Sequence, residues 1–165
     1  MDPRSLDPLS PTGSQGAPLD AVLAVAGGSS LGTHCLLDLY ACRPDVLDDP
    51  IELERLLRHA AREAGAQVIG ILQHRFSPHG VSLVCLLAES HISLHTWPEQ
   101  SMAAADIYTC GANCDPLRAC HVLIEALQPR SKSLTAVARG ANANVEMRDE
   151  CVSNNEGMTL SLIHI

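Results

Sequence analysis

Residues 89–99 are Glu-Ser-His-Ile-Ser-Leu-His-Thr-Trp-Pro-Glu, the most informative segment of the sequence for the fold. Its alternation predicts a strand over His91–Trp97, because successive side chains of a strand point to opposite faces. One face is apolar and carries Ile92, Leu94 and Thr96. The other face concentrates titratable and aromatic groups, namely His91, Ser93, His95 and Trp97. The next predicted strand, Met102–Cys110, also carries polar groups on one face, namely Asp106, Tyr108 and Cys110. We therefore expect hydroxyl, imidazole, thiol and carboxylate groups to converge on one surface.

The patterns on either side of this stretch predict the element order β-α-β-β-β-β-α-β. The strands are His34–Tyr40, Val68–Phe76, Val81–Ala88, His91–Trp97, Met102–Cys110 and Leu134–Ala138. Helices begin at Asp49-Pro50 and Asp115-Pro116, because Asp is a good N-cap and Pro suits the first helical position. This order indicates an α+β fold, a two-layer sandwich with an antiparallel sheet and two helices on one face. Since the other face of the sheet needs covering, we expect a homodimer formed through the sheets.

Composition narrows the possible functions of the 165-residue chain. Its length fits one domain, and its 46% hydrophobic and 18% charged residues are typical of globular proteins. The net charge of −8 argues against a nucleic-acid partner, since phosphate binding needs clustered Lys and Arg. No stretch approaches the roughly 18 apolar residues of a membrane-spanning helix. Seven cysteines without a signal peptide indicate reduced thiols and a cytoplasmic location.

The ends of the chain differ in composition from its middle. Residues 1–28 are rich in Pro, Gly, Ser and Asp, and we expect a disordered leader. The predicted domain covers residues 29–147, and residues 148–165 form a poorly structured tail. The last six residues, LSLIHI at 160–165, resemble the translation of a sequencing-library adapter, and we interpret them as an artefact.

Three interpretations of the 89–99 stretch remain open on spacing alone. His91 and His95 could simply face solvent on a half-exposed strand. They could bind zinc with a cysteine, although no Cys-x-x-Cys pair completes such a set. Alternatively, Ser90 could be a nucleophile activated by a nearby base, for which His is the usual choice.

The complete string resembles the processing site of the prokaryotic, pyruvoyl-dependent S-adenosylmethionine decarboxylase proenzymes. That site has Glu-Ser-His followed by His-Thr-Trp-Pro-Glu. The resemblance covers about Leu31 to Val145 and includes four further motifs in the same order. These are Gly32-Thr33-His34, His74-Arg75-Phe76, Gly80-Val81-Ser82 and Asp106-Ile107-Tyr108-Thr109-Cys110-Gly111.

The resemblance implies that the chain cuts itself between Glu89 and Ser90. The products would be a β chain, residues 1–89, and an α chain, residues 90–165, in which Ser90 has become a covalent pyruvoyl group. Ser82 matches the processing serine of the family, and His95 matches the processing base. No metal is implied.

For turnover, the resemblance implies a Schiff base between the pyruvoyl group and S-adenosylmethionine, followed by loss of CO₂. The product would be the aminopropyl donor of spermidine biosynthesis. Cys110 matches the proton donor, and Glu99 matches the ribose ligand. Phe76 matches a residue that stacks on adenine, and Trp97 is placed to help it. Two alternatives remain, a pyruvoyl-dependent arginine or ornithine decarboxylase on the same fold, and a non-processing regulatory homologue.

Overall fold

The computed structural model describes residues 30–111 and 113–140, which form one six-stranded sheet. The strands are β1 (Gly32–Tyr40), β2 (Val68–Arg75), β3 (Val81–Leu87), β4 (Ser90–Trp97), β5 (Met102–Cys110) and β6 (Ser131–Arg139). Their order across the sheet is β2-β3-β4-β5-β1-β6, and every neighbouring pair is antiparallel. The predicted α+β class and antiparallel sheet are confirmed.

Three helices occur in the described residues, namely α1 (Pro44–Leu47), α2 (Pro50–Glu63) and α3 (Pro116–Leu127). The side chains of Asp49 and Asp115 accept hydrogen bonds from the first turns of α2 and α3, as predicted. The prediction of two helices omitted α1, which has only four residues and no side-chain N-cap. A single helical turn carries too little periodicity to be recognised in a sequence.

The core lies between the sheet and the two longer helices. On β4, Ile92, Leu94 and Thr96 are buried on the helix side, as their alternation predicts. Leucines of α2 and α3 complete the layer, including the fully buried Leu57 and Leu123. The helices therefore cover one face of the sheet, which confirms the two-layer arrangement.

The opposite face of the sheet, called the open face here, carries both polar and apolar side chains. Large apolar groups on it are exposed, namely Leu36, Tyr40, Leu72, Val84, Leu86 and Trp97. A solvated sheet face normally alternates to polar residues, and clustered apolar groups usually mark an interaction surface. The open face is also where the polar side chains of β4 and β5 lie.

Several sequence predictions fall outside the described residues. These are the leader at 1–28, the tail at 148–165 and the artefact at 160–165. The boundaries of the 29–147 domain stay predictions. Strand β6 is longer than the predicted Leu134–Ala138. In the described part of the chain, none of the helices has the length and apolar character needed to cross a membrane.

Candidate active site

The turn between β3 and β4 carries the predicted cleavage site, and strand β5 holds it in place. The backbone N–H of Cys110 donates to the carbonyl oxygen of Glu89 at 3.1 Å. The Glu89 carboxylate accepts from the backbone N–H of Gln67 at 2.9 Å. Ser90 follows with φ of +156°, a conformation that side-chain-bearing residues rarely adopt. Glu89, before the predicted scissile bond, is thus held by two hydrogen bonds, and Ser90, after it, departs from regular strand geometry.

His91 is the nearest imidazole to the Ser90 hydroxyl. Its Nδ1 lies 3.2 Å from Ser90 Oγ. The alternation of β4 predicts that His91 lies on the polar face. It does not predict the contact with Ser90, since adjacency in a strand does not imply side-chain contact. The His91 ring also packs edge-on against Tyr108, with centroids 6.2 Å apart.

Cys110 ends β5 beside this turn, on the same face as Tyr108. A hydrogen bond with the Cys110 thiol raises the pKa of Tyr108 above its usual range. Gly32 on β1 leaves room for the tyrosine, because a Cβ there would lie 2.9 Å from Tyr108 Cε2. The guanidinium of Arg139 lies 5.4 Å from the Tyr108 ring centroid.

A polar row continues along the open face behind these residues. Ser93 Oγ donates to Asp106 Oδ2 at 3.1 Å, and Asp106 Oδ1 lies 3.6 Å from Nε2 of His34. The guanidinium of Arg139 donates to His34 Nδ1 at 3.1 Å, which leaves the ring proton on Nε2. Burial lowers the pKa of His34, and this outweighs the opposite effect of Asp106.

Ser82 and His95 form a second pair, on adjacent strands. They are direct partners in the β3–β4 register, and Ser82 Oγ lies 2.7 Å from His95 Nδ1. The His95 ring is 6.4 Å from the Trp97 ring, centroid to centroid. The two predicted processing residues are thus brought together.

The predicted substrate-binding residues lie at the same end of the sheet as the Ser82–His95 pair. Phe76 follows β2, with its ring 4.6 Å from that of His74. Trp97 ends β4, and Glu99 lies in the 3₁₀ turn Pro98–Gln100 that follows. Phe76, Trp97 and Glu99 are exposed.

The predicted site residues therefore form two groups rather than one. We call Glu89, Ser90, His91, Tyr108 and Cys110 the cleavage cluster, and Phe76, Ser82, His95, Trp97 and Glu99 the binding cluster. Ser90 and His95 are five residues apart on one strand, a span of about 17 Å at about 3.3 Å per residue. The polar groups of β4 and β5 share the open face, as expected, but the two clusters stand apart on it, because a strand is too extended to bring its two ends together.

The zinc interpretation has little support from the geometry. His91 and His95 are four residues apart on β4, about 13 Å at the same rise, whereas zinc needs ligands within about 2.3 Å. In residues 30–111 and 113–140, no three His, Cys, Asp or Glu side chains cluster closely enough to hold a metal ion.

Comparisons with known proteins identify the family of the chain. The family model described as S-adenosylmethionine decarboxylase matches residues 33–140. An S-adenosylmethionine decarboxylase proenzyme from Prochlorococcus marinus (strain MIT 9211) is 44% identical over 109 residues, which cover 66% of this chain and 89% of that protein. The corresponding proenzyme of Caldicellulosiruptor saccharolyticus is 41% identical over 111 residues, 67% of this chain and 90% of that protein.

A solved structure shares the fold as well. The crystal structure of the adenosylmethionine decarboxylase from Aquifex aeolicus matches with a TM-score of 0.66 and 37% identity, over 73% of this chain and 99% of that one. The family model spans more than half of the chain, and both relatives match along most of their length. The chain therefore belongs to the S-adenosylmethionine decarboxylase family.

Proposed function

We propose that this chain cuts itself between Glu89 and Ser90 and then decarboxylates S-adenosylmethionine, which yields the aminopropyl donor for spermidine synthesis. The observation that carries this proposal is the geometry at the β3–β4 turn. There the Glu89 carbonyl already accepts a backbone hydrogen bond, and the Ser90 hydroxyl lies beside an imidazole. Both features belong to the first step of self-cleavage.

In that step, Ser90 Oγ attacks the carbonyl carbon of Glu89, and His91 Nδ1 accepts the hydroxyl proton. Negative charge develops on the Glu89 oxygen, towards which the Cys110 N–H already points. The C–N bond then breaks as His91 returns that proton to the Ser90 nitrogen, which becomes a free amine, and an ester joins Glu89 to the Ser90 side chain. The shift from amide to ester is uphill in free energy. The Cys110 N–H, which stabilises the charge on the Glu89 oxygen, and the unusual φ of Ser90, which destabilises the uncut backbone, both favour it.

The second step needs a base for the α-proton of Ser90. Removal of that proton breaks the bond between Ser90 Cβ and the ester oxygen and frees the α-carboxylate of Glu89 as the new chain end. The remaining dehydroalanine hydrolyses to the pyruvoyl group and ammonia. His95 is the proposed base, and a hydrogen bond between Ser82 Oγ and His95 Nδ1, 2.7 Å long, orients its ring. A positioned base contributes about 10²- to 10⁴-fold to such a step.

His95 cannot reach Ser90 of its own chain, since about 17 Å separates them along β4. We therefore propose a homodimer in which two open faces pack together and the binding cluster of one copy meets the cleavage cluster of the other. The exposed Leu72, Val84 and Leu86 on the open face support this partner, because such groups are buried in stable interfaces. A dimer would also complete the substrate site.

The environment of Ser90 suits a pyruvoyl group. Thr109 is the partner of Ser90 in the β4–β5 register, and its hydroxyl is buried without a hydrogen-bond partner among the described residues. It can donate to a new carbonyl there. When present, the group supplies an electrophilic carbonyl that takes up the electrons released with CO₂.

Turnover then needs a proton at the substrate α-carbon. The Cys110 thiol ends β5 beside the new chain start and is the proposed donor. Phe76 and Trp97 provide aromatic faces for adenine and for the nearby sulfonium cation. The Glu99 carboxylate can accept both ribose hydroxyls.

We further propose a cytoplasmic location, where the thiols would stay reduced. Six cysteines are free in the described residues. This fits an enzyme whose proton donor is a thiol.

Intact mass under denaturing conditions tests the proposed function directly. Purified protein should give two fragments that meet between Glu89 and Ser90, and Ser90→Ala should give one uncut, inactive chain. The cleaved protein should release CO₂ from S-adenosylmethionine but not from arginine or ornithine. An active, uncut chain would refute the proposal. Release of CO₂ from arginine or ornithine would show that the assigned substrate, S-adenosylmethionine, is wrong.

A further inference from the structure

Asp48, the residue directly after α1, contacts two points on the neighbouring hairpin. Its Oδ2 accepts from the Arg75 guanidinium at 2.8 Å, and its Oδ1 accepts from the backbone N–H of Gly80 at 2.9 Å. These contacts, led by the Gly80 amide, lower the pKa of Asp48 below its usual range. The carboxylate is therefore ionised at neutral pH and available to both donors.

The two contacted residues enclose the turn that presents Phe76. Arg75 ends β2, Phe76 follows it, and Gly80 closes the turn. The Phe76 N–H donates to the Gly80 carbonyl at 2.8 Å, so the base of the turn is paired as well. Asp48 thus fixes both sides of the segment from which the Phe76 side chain projects.

The same end of α1 is joined to β4. The Thr96 hydroxyl donates to the Leu47 carbonyl at 2.7 Å and accepts from the Val81 N–H at 2.9 Å. Thr96 directly precedes Trp97. The turn also packs closely on this strand, because a Cβ on Gly80 would lie 2.9 Å from the Thr96 carbonyl oxygen.

Leu47 and Asp48 therefore connect the two elements that carry the binding cluster. Leu47 is bonded to the strand before Trp97, and Asp48 is bonded to the turn around Phe76. We propose that Asp48 is a positioning residue for the nucleoside part of the substrate, because it holds the Phe76 turn at a fixed place relative to the end of β4 that carries Trp97. This inference rests on the proposed function and adds a residue that touches no substrate.

The test compares Asp48→Ala with Asp45→Ala. Both variants remove one carboxylate from the α1 segment, but the side-chain partner of Asp45 among the described residues is Arg43, at 2.6 Å, which also lies next to α1. The ligand is 5′-methylthioadenosine, which has the adenine and ribose but no amino-acid part. Binding is followed by the fluorescence of Trp97, the sole tryptophan of the sequence.

We expect Asp48→Ala to weaken nucleoside binding about tenfold and to raise KM for S-adenosylmethionine by about the same factor. This factor corresponds to the loss of roughly one charge-assisted hydrogen bond. Its kcat should stay within about twofold and its cleavage at Ser90 should be complete, since neither the pyruvoyl group nor Cys110 is altered. Asp45→Ala should match the wild type. Arg75→Gln keeps the Gly80 contact, and we expect a smaller rise of about threefold.

Wild-type nucleoside affinity in a folded Asp48→Ala variant would overturn the inference. An equal loss in Asp45→Ala would do the same, because it would show a general effect of charge. If Asp48→Ala does not fold, Arg75→Gln and Asp48→Asn decide the question by the same two measurements. A wild-type protein that is neither cleaved nor active would instead refute the proposed function, so the two failures are distinguishable.

Discussion

A Ser90→Ala chain should restore cleavage of a His95→Ala chain if the site is shared between copies. Ser90→Ala keeps His95 but has nothing to cleave, whereas His95→Ala keeps the cleavage site but lacks the base. Expressed alone, the first should stay intact and the second should be cut slowly. Expressed together, the His95→Ala chain should be cut at close to the wild-type rate in mixed dimers.

The magnitude follows from the geometry of β4. The span of about 17 Å between Ser90 and His95 exceeds the reach of about 3 Å required of a general base. His95 is also held away by its 2.7 Å contact with Ser82. Loss of His95 should slow cleavage by about 10²- to 10⁴-fold, and a partner that supplies it should recover most of this. With equal amounts and random pairing, about half of the His95→Ala chains lie in mixed dimers.

The assay is intact mass of the co-expressed chains, which carry different affinity tags. Purification through both tags in sequence isolates the mixed dimers, in which the His95→Ala chain should be cut. As a control, the Ser90→Ala chain is replaced by a chain with both substitutions, which cannot supply the base. An uncut His95→Ala chain in isolated mixed dimers would refute the reasoning, and so would equal cleavage in the control.

Two further predictions concern the cleavage cluster and its neighbours. Cys110→Ala should still be cleaved, because the backbone N–H that contacts Glu89 remains. Its decarboxylation rate should fall by at least about 10²-fold, and abortive loss of the pyruvoyl group should rise. Full turnover would refute the proton-donor role, and Cys114→Ala is the matched control. His34 has a lowered pKa in the folded state, so the unfolded chain binds more protons as pH falls below about 6.5 and stability declines there. His34→Gln should therefore flatten the fall of Tm between about pH 6.5 and 5, and an unchanged slope would refute this account.

Much of the fold follows from local patterns in the sequence. Alternation along β4 correctly predicted that Ile92, Leu94 and Thr96 are buried on one face. The two Asp-Pro pairs marked the starts of α2 and α3, because N-caps act within one turn. These signals are local, and local signals can be recognised without knowledge of the tertiary structure.

The distribution of the site could not be predicted in the same way. Resemblance supplies a set of residues without saying which chain each comes from, and alternation shows only which face of its strand each side chain is on. The Glu89–Cys110 contact depends on the β4–β5 register, and the Asp48 contacts depend on where a four-residue helix meets a hairpin. Neither leaves a periodic signal, since each joins residues far apart in sequence.

The separation of the two clusters also restricts the symmetry of any dimer that completes the site. In a two-fold dimer, Ser90 of one copy meets His95 of the other, and the reverse contact forms at the same time. The axis must then pass near the midpoint of these residues, which on the open face is close to Ser93. Val84 is the register partner of Ser93 on β3 and is exposed. The apolar groups near the middle of the open face would be buried at the axis, so the same packing that covers them would complete both active sites.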